Sequence, residues 1–471
     1  MVFSSLEFIF IFLPIFFIIY LSVDSKYKNI VLLISSILFY GYGALKHPPY
    51  IFIIIISITV NYFLGKQIAT NPRYKKSFLI LGMILNFGCL IVFKYFGFLL
   101  SIVSSLFEVP DSIIQMPIFN LQLPVGISFY TFQAASYLVD VYRGNTEYEE
   151  SFVDFGAYIC MFPQLIAGPI VTYSEVKDRL KARICNIYTM SDGLKTFIFG
   201  LGLKVIIANR VGNLWTTIGN LGFESISTQL AWLAIIARTF QIYFDFFGYS
   251  LMAVGLGQMI GFKFPANFDH PYLTLSMTEF WRKWHITLGR WFREYVYIPL
   301  GGNRKGDLIT YRNLFIVWTL TGLWHGANIN FLLWGLSLFF FIALEKFALN
   351  KVFKNRKMLA RIYMLLLIPT TWVLFSITDL HSIIVFYKKL FPFLGNVGKG
   401  IYIYQNDYIK YLSQSWFYIL LGFIFSTRFP YRIYAKIKNS TIGLAFLFIV
   451  FWYSIYSLYM GLNDIFLYFR F

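Results

Sequence analysis

Residues 264–306 read FPANFDHPYLTLSMTEFWRKWHITLGRWFREYVYIPLGGNRKG, and residues 312–335 read RNLFIVWTLTGLWHGANINFLLWG. The first stretch is rich in tryptophan and arginine and carries His285. Forty residues later, His325 lies in an apolar run and precedes Gly326. Burying a titratable group in hydrocarbon is expensive, so a histidine in such a run is a candidate functional residue.

The composition around these stretches is that of a membrane protein. The 471 residues are 58% hydrophobic and only 13% charged, whereas soluble proteins average about 25% charged residues. Apolar runs close to the roughly 20 residues that cross a bilayer recur along the chain. We therefore predict an all-α polytopic membrane protein with about 11–12 transmembrane helices. They are expected to form a single domain over residues 1–471, in which residues 264–335 are the catalytic-motif region.

The positive charge is spread over the loops between the apolar runs. Lysine and arginine number 40 against 22 acidic residues, a net charge of +18. This pattern is typical of cytoplasmic loops and of attraction to anionic lipids. It forms no single basic patch, which argues against nucleic-acid binding. We predict a multi-pass membrane protein that contacts membrane lipids. A second interpretation is that some of the charge attracts an anionic substrate such as a coenzyme phosphate.

Two segments do not fit ordinary spanning helices. Residues 154–170 are interrupted by two prolines and a glycine, which predicts a re-entrant loop surrounded by protein. Residues 280–298 place their aromatic residues on one face of a helical wheel and most of their charged residues on the other. This pattern predicts a continuous amphipathic helix at the membrane interface, with His285 at the edge of the apolar face.

His325 lies at a predicted point of close helix contact. Gly322 and Gly326 are four residues apart, and small residues at this spacing let a neighbouring backbone approach. A neutral imidazole there can accept a proton from a hydroxyl and return it, as a general base does. The alternative interpretation is a structural histidine with satisfied hydrogen bonds. No set of cysteine, histidine and acidic residues has metal-ligand spacing, so no metal site is predicted.

At these residues the chain resembles the membrane-bound O-acyltransferase (MBOAT) family, and most closely its bacterial alginate O-acetyltransferase branch. The stretches FWRKWHITLGRWFREYVYIPLGGNRKG and GLWHGANINFLLWG carry the resemblance most specifically. LPVGISFYTFQAASYLVDVYRG, FPQLIAGPI and the closing FLYFRF are also similar, so the resemblance covers essentially the whole chain.

The resemblance implies a location in the bacterial cytoplasmic membrane, a fold, a reaction and partners. The fold would be a helical bundle with re-entrant and interfacial helices around a central tunnel. The donor would be cytoplasmic acetyl-CoA, a substrate and not a bound cofactor. The acceptor would be a hydroxyl of an exported or cell-wall polysaccharide, often reached through an extracytoplasmic partner with an SGNH-type domain.

The resemblance also implies roles for individual residues. His325 would be the near-invariant family histidine that is central to catalysis. His285 would be the second family histidine, which we expect to orient the substrate or to polarise the thioester carbonyl. The residues expected to contact substrate are Trp281, Trp284, Trp324, Arg282 and Asn328. Arg282, Lys283 and Arg304 are candidates to bind coenzyme phosphates, and the alternative is that they are simply solvated.

Other functions compete with acetyl transfer. Within the family, the alternative is D-alanyl transfer to teichoic acid, although residues 297–306, YIPLGGNRKG, favour the acetyl branch. From another class, the chain could be a transporter of a lipid-linked precursor. Transporters commonly contain inverted repeats, and the sequence shows none. A structural scaffold for a polysaccharide synthase is the third interpretation.

Overall fold

The computed structural model describes residues 2–45, 47–107, 121–166, 168–395 and 405–461. These residues form helices joined by turns, and no β-strand occurs among them. The similar stretch FLYFRF at the end of the chain lies outside the described residues. The predicted all-α class is confirmed.

The chain divides into two compact units, residues 1–197 with 252–265 and residues 198–251 with 266–471. All but the first two residues of the motif region 264–335 belong to the second unit. The prediction of one membrane domain over the whole chain stays a prediction. The helices of the first unit are α1 (Leu13–Ser22), α2 (Lys28–Gly43), α3 (Tyr50–Thr70), α4 (Lys75–Leu106), α5 (Ile127–Arg143), α6 (Phe152–Cys160), α7 (Phe162–Leu165) and α8 (Tyr173–Lys181).

Two helices cross the boundary between the units, and the others belong to the second unit. The crossing helices are α9 (Ile187–Gly202) and α11 (Thr228–Met259). The second unit contains α10 (Asn209–Asn220), α12 (Met277–Lys283), α13 (Ile286–Phe292), α14 (Asp307–His325), α15 (Ile329–Leu344), α16 (Asn350–Phe353), α17 (Lys357–Ser376), α18 (Leu380–Leu390), α19 (Asp407–Phe425), α20 (Phe429–Ile437) and α21 (Thr441–Tyr459). Short π-helical turns join several of these, including Arg293–Tyr297 after α13 and Glu345–Leu349 after α15.

Seven helical segments among the described residues are long and apolar enough to cross a membrane. The multi-pass membrane prediction is confirmed, but the predicted number of about 11–12 spans is higher than this count. The difference has a physical reason: α1, α2 and α5 contain 10, 16 and 17 residues, short of the roughly 20 that cross a hydrocarbon core. Helix α14 is 19 residues long but carries Asp307, Arg312 and its terminal histidine.

The predicted break in residues 154–170 is present. Helix α6 ends at Cys160, and the four-residue α7 follows after Met161. The α7 residues are all buried, including Gln164, whose Nε2 donates to the Tyr158 carbonyl at 2.5 Å. Buried non-helical backbone of this kind is what a re-entrant segment requires. Its depth in the bilayer stays a prediction.

The predicted continuous helix over residues 280–298 is wrong, because the chain breaks at Trp284 and His285. Trp284 forms an isolated antiparallel bridge with Phe268, and the Ile286 amide donates to the Asn267 carbonyl at 3.0 Å. His285 has a φ of 46°, in the left-handed region that non-glycine residues rarely adopt. A helical wheel describes only contacts within one segment, so it could not show that residues 267–269 compete for these hydrogen bonds.

The predicted close helix contact at Gly322 is present and joins α14 to α15. A Cβ atom on Gly322 would collide with the Phe331 carbonyl oxygen and would lie 3.2 Å from the Gly335 Cα. The facing position is equally tight, because a Cβ on Gly335 would collide with the Trp318 carbonyl oxygen. The two glycines therefore let the backbones of this helical hairpin touch, and the contact lies three residues before His325.

Candidate active site

His285 and His325 line the same cavity in the second unit. The cavity has a volume of about 430 Å³ and lies between the broken segment α12–α13 and helix α14. Trp281, Trp318 and Thr321 contribute to its walls. Two histidines that are 40 positions apart in the sequence therefore face one space large enough for a small reacting group.

His325 is the last residue of α14 and is 2% exposed. Aromatic rings surround it on several sides. Its ring centroid lies 4.9 Å from that of Trp334 and 5.3 Å from that of Phe375, and both rings stand nearly perpendicular to the imidazole. The following residue, Gly326, leaves no room for a Cβ beside the Phe331 ring. The turn after α14 thus holds the imidazole in an apolar aromatic cage.

His285 is also 2% exposed and is held by its backbone and by Asn267. The Asn267 Oδ1 lies 3.1 Å from His285 Nδ1, and the Phe246 ring packs edge-on at 4.7 Å between centroids. Burial lowers the pKa of His285 from 6.5 to about 3, because desolvation disfavours the charged form. The ring is therefore neutral over the physiological pH range.

Trp324 connects the two histidines. Its ring centroid lies 4.9 Å from His325 and 5.9 Å from His285. Trp324 is buried and is not among the residues that line the cavity, so it packs against both imidazoles without facing the cavity. Trp281 and Trp284 do line the cavity, and their contact with substrate stays a prediction.

A second cavity of about 900 Å³, which we call the basic vestibule, continues from the first. The two cavities share lining residues, among them Arg282, Arg293 and Tyr297. The cationic residues of the vestibule lining are Arg282, Arg293, Arg304, Lys305 and Lys346. No carboxylate is among its lining residues, all of which belong to the described chain. The vestibule therefore offers a positive surface at the entrance to the histidine cavity.

The remaining predicted residues divide into those on this site and those away from it. Arg282 lines both cavities and Arg304 lines the vestibule. Lys283 lines neither and binds Glu279 at 2.9 Å. Asn328 precedes α15, where its carbonyl accepts from the Phe331 amide at 3.2 Å, and it does not line either cavity. Asn328 therefore supports the turn beside His325.

Three features of the site escaped sequence reasoning. Asn267 lies in the first quoted stretch but was not singled out, Lys346 lies beyond residue 335, and no spacing rule connects either residue to His285. Glu345 is 1% exposed, and its carboxylate accepts from the Met277 amide at 2.8 Å, which anchors the start of α12. Of the three, only Glu345 gave a signal in the sequence, because it is an acidic residue at the end of an apolar helix. A buried carboxylate requires hydrogen-bond donors, so such a residue predicts a polar contact.

Comparison with known proteins agrees with this geometry. A family model described as MBOAT, membrane-bound O-acyltransferase family, matches residues 146–378, which include both histidines. A probable alginate O-acetylase of Pseudomonas aeruginosa is 39% identical over 400 residues, which cover 83% of this chain and 75% of that protein.

Two further relatives act on cell-wall polymers, according to their names. The peptidoglycan O-acetyltransferase of Helicobacter pylori is 34% identical over 88% of this chain and 84% of its own length. The teichoic acid D-alanyltransferase of Bacillus subtilis is 28% identical over 47% of this chain and 58% of its own length. With these relatives, the multi-pass helical fold and the histidine cavity, the chain belongs to the membrane-bound O-acyltransferase family.

Proposed function

We propose that this protein transfers an acetyl group from cytoplasmic acetyl-CoA to a hydroxyl, for the O-acetylation of an exported or cell-wall polysaccharide. The observation that carries the proposal is that His285 and His325 face one cavity that continues into the basic vestibule. Neutral imidazoles supply acid–base chemistry, and a cluster of arginines and lysines suits the phosphates of a coenzyme.

In the proposed reaction, the acceptor oxygen attacks the thioester carbonyl carbon while its proton passes to the imidazole of His325. The tetrahedral intermediate then collapses, the carbon–sulfur bond breaks, and the proton is returned to the departing thiolate. The products are an acetyl ester and free coenzyme A. A general base contributes roughly 10²–10⁴-fold to such a reaction, so positioning of the two substrates in the cavity must supply much of the rest.

The vestibule side of the site is proposed to face the cytoplasm. Lys346 of the vestibule begins a basic segment, KFALNKVFKNRKMLAR over residues 346–361. Loops rich in lysine and arginine are retained on the cytoplasmic side of bacterial membranes. This orientation would let coenzyme enter from the cytosol while the acetyl group leaves on the other side.

Acetyl transfer is preferred to D-alanyl transfer because of the relatives. The proteins named for O-acetylation match 83–88% of this chain, and the D-alanyltransferase matches 47% at lower identity. The relatives named for O-acetylation act on alginate and on peptidoglycan by their names, so we propose the polysaccharide class and not one polymer. We further propose that an extracytoplasmic partner with an SGNH-type domain completes the transfer to the polymer.

The test is thioester consumption by the purified protein. With labelled acetyl-CoA, a polysaccharide acceptor and the partner co-purified from the native membrane, the wild type should release free coenzyme and form an acetyl ester. His325→Ala should abolish both, whereas His381→Ala, at an exposed histidine that binds Glu224 at 3.3 Å, should leave them unchanged. A transporter or a structural scaffold would consume no thioester, and turnover by a well-folded His325→Ala protein would refute the assignment.

A further inference from the structure

The side chain of Asn267 contacts His285, and Asn267 is not among the residues that line the cavity. Asn267 is 2% exposed. Its Oδ1 lies 3.1 Å from His285 Nδ1, 3.0 Å from Thr287 Oγ1 and 3.3 Å from the Thr287 backbone nitrogen. One amide oxygen therefore meets polar groups from two neighbouring residues of the broken helix.

The orientation of the Asn267 amide follows from its partner on the backbone. A backbone N–H can only donate a hydrogen bond, so the Thr287 amide requires an acceptor and selects the oxygen of Asn267. The same oxygen then faces His285 Nδ1, which must carry a hydrogen in order to donate to it. In a neutral imidazole the other nitrogen is an acceptor, so Nε2 of His285 has a free lone pair.

The environment of Nε2 is consistent with this tautomer. The Nε2 atom is buried and has no hydrogen-bond partner among the described residues, and the ring lines the 430 Å³ cavity. A buried acceptor without a partner is unfavourable, because it has lost its hydrogen bond to water. A substrate O–H or N–H in the cavity would remove this cost by donating to Nε2.

We propose that Asn267 is a positioning residue that fixes His285 as a hydrogen-bond acceptor towards the substrate. This inference rests on the proposed function and refines it. A lone pair on Nε2 orients a substrate O–H or N–H, and it does not polarise a carbonyl oxygen, which would need a donor. Of the two roles expected for His285 from the sequence, the geometry supports orientation of the substrate.

The backbone strengthens the arrangement. The Ile286 amide donates to the Asn267 carbonyl at 3.0 Å, and the Asp269 amide donates to the Lys283 carbonyl at 3.0 Å. These bonds hold both sides of the left-handed residue His285 against the segment that carries Asn267. Side-chain and backbone contacts thus fix the same ring from two directions.

Other ionisable groups near His285 are the same in all variants that the test compares. Those on the cavity wall are Arg282, Arg290, Arg293, Glu294, Tyr297 and His325. On the adjoining segments they include Glu279 and Lys283 of α12, Asp269, and Tyr243, Asp245 and Tyr249 of α11, and Asp245 binds Lys204 at 2.8 Å. Differences between variants at position 267 therefore report on the contact with His285.

The experiment compares Asn267→Leu, Asn267→Asp and the control Thr287→Val in purified protein. Loss of a partner that orients a reacting group typically costs roughly 10- to 100-fold, so kcat of Asn267→Leu should fall by that factor, with KM for acetyl-CoA little changed. Asn267→Asp keeps an acceptor but adds a negative charge, which raises a histidine pKa by roughly one to three units. Because protonated His285 is no longer an acceptor, the acid limb of its kcat/KM profile should move to higher pH by that amount.

The control separates positioning from packing. Thr287→Val removes the hydroxyl contact to the same oxygen and leaves the contact between Asn267 and His285, so its kcat should fall less than that of Asn267→Leu and its pH profile should match the wild type. A loss of kcat in Thr287→Val as large as in Asn267→Leu, or an Asn267→Asp profile that superimposes on the wild type, would overturn the inference. If Asn267→Leu does not fold, the Asn267→Asp pH profile still decides.

A measurement that needs no turnover distinguishes this inference from the proposed function. In ¹⁵N-histidine-labelled protein, the signals of His285 are identified by their loss in His285→Gln. Hydrogen on Nδ1 in the wild type, and a mixture of tautomers in Asn267→Leu, would support the role of Asn267. Hydrogen on Nε2 would overturn it. Failure of the wild type to consume acetyl-CoA would instead refute the proposed function and leave this result standing.

Discussion

The contact between Gly322 and Gly335 predicts that a single methyl group will displace His325. In Gly322→Ala the new Cβ would collide with the Phe331 carbonyl oxygen and lie 3.2 Å from the Gly335 Cα. Carbon atoms pack best at about 3.5–4.0 Å, so α14 and α15 must separate by roughly 0.5 Å or more. Both atoms met are backbone, so no side chain can rotate away.

The displacement acts directly on the site. His325 ends α14 three residues after Gly322, and Trp334, which packs on the imidazole, precedes Gly335. Overpacking in a tight contact costs about 1–3 kcal/mol, and a shift of about 1 Å in a reacting group can cost roughly 100-fold in rate. We expect Gly322→Ala to lower kcat by roughly 10- to 100-fold and to lower the melting temperature in detergent.

The matched control is Gly88→Ala. Gly88 lies within α4, and a Cβ there would meet nothing within 4 Å. Alanine in a helix interior is favoured over glycine by roughly 0.5–1 kcal/mol, so this variant should be active and as stable as the wild type or more so. The assays are coenzyme release from acetyl-CoA and a thermal melt. If Gly322→Ala behaves like Gly88→Ala in both, the argument from backbone contact is refuted.

Further predictions concern the vestibule, the buried ion pair and pH. Arg293→Gln and Lys346→Gln should each raise KM for acetyl-CoA by roughly two- to fivefold with kcat unchanged, because exposed charge pairs contribute up to about 1 kcal/mol. Added salt should reduce the difference in KM from the wild type. KM values equal to that of the wild type would show that the vestibule does not bind the coenzyme. Lys204→Met should destabilise the fold by about 3–5 kcal/mol, because it removes the cation that lies 2.8 Å from the carboxylate of Asp245, which is 2% exposed. The double variant Lys204→Met and Asp245→Leu should recover much of this loss in thermal melts. The pKa of His285 is about 3 in the folded protein, against the usual 6.5. The unfolded chain therefore binds more protons between these pH values, and stability falls as the pH falls below about 6.5. His285→Gln should reduce this slope of stability against pH, and an unchanged slope would contradict a neutral buried ring.

Much of the fold was readable from local pattern. Apolar runs of span length, interrupted by basic loops, predict a helical membrane protein, because each spanning segment must satisfy its backbone hydrogen bonds internally. The glycine spacing around His325 likewise predicted a backbone contact that the structure contains at Gly322. The number of spans is harder to read from a sequence, since short helices such as α2 and α5 differ from full spans by only a few residues.

The break at His285 shows where local pattern fails. The helical wheel for residues 280–298 shows a clear amphipathic pattern. The structure nevertheless replaces helical hydrogen bonds with bonds between two backbone segments, Asn267, Phe268 and Asp269 on one side and Lys283, Trp284 and Ile286 on the other. Such bonds join segments that have no common periodicity, so a single sequence does not reveal them.

By itself, the sequence determined that this chain is a helical membrane protein with two histidines in unusual apolar or aromatic surroundings. Only the tertiary structure decided that both rings face one cavity, that Asn267 holds one of them, and that Lys346 joins the arginines of the vestibule. The physical reason is that helix formation and membrane insertion depend on neighbouring residues, whereas an active site depends on which distant residues the packing brings within hydrogen-bonding reach.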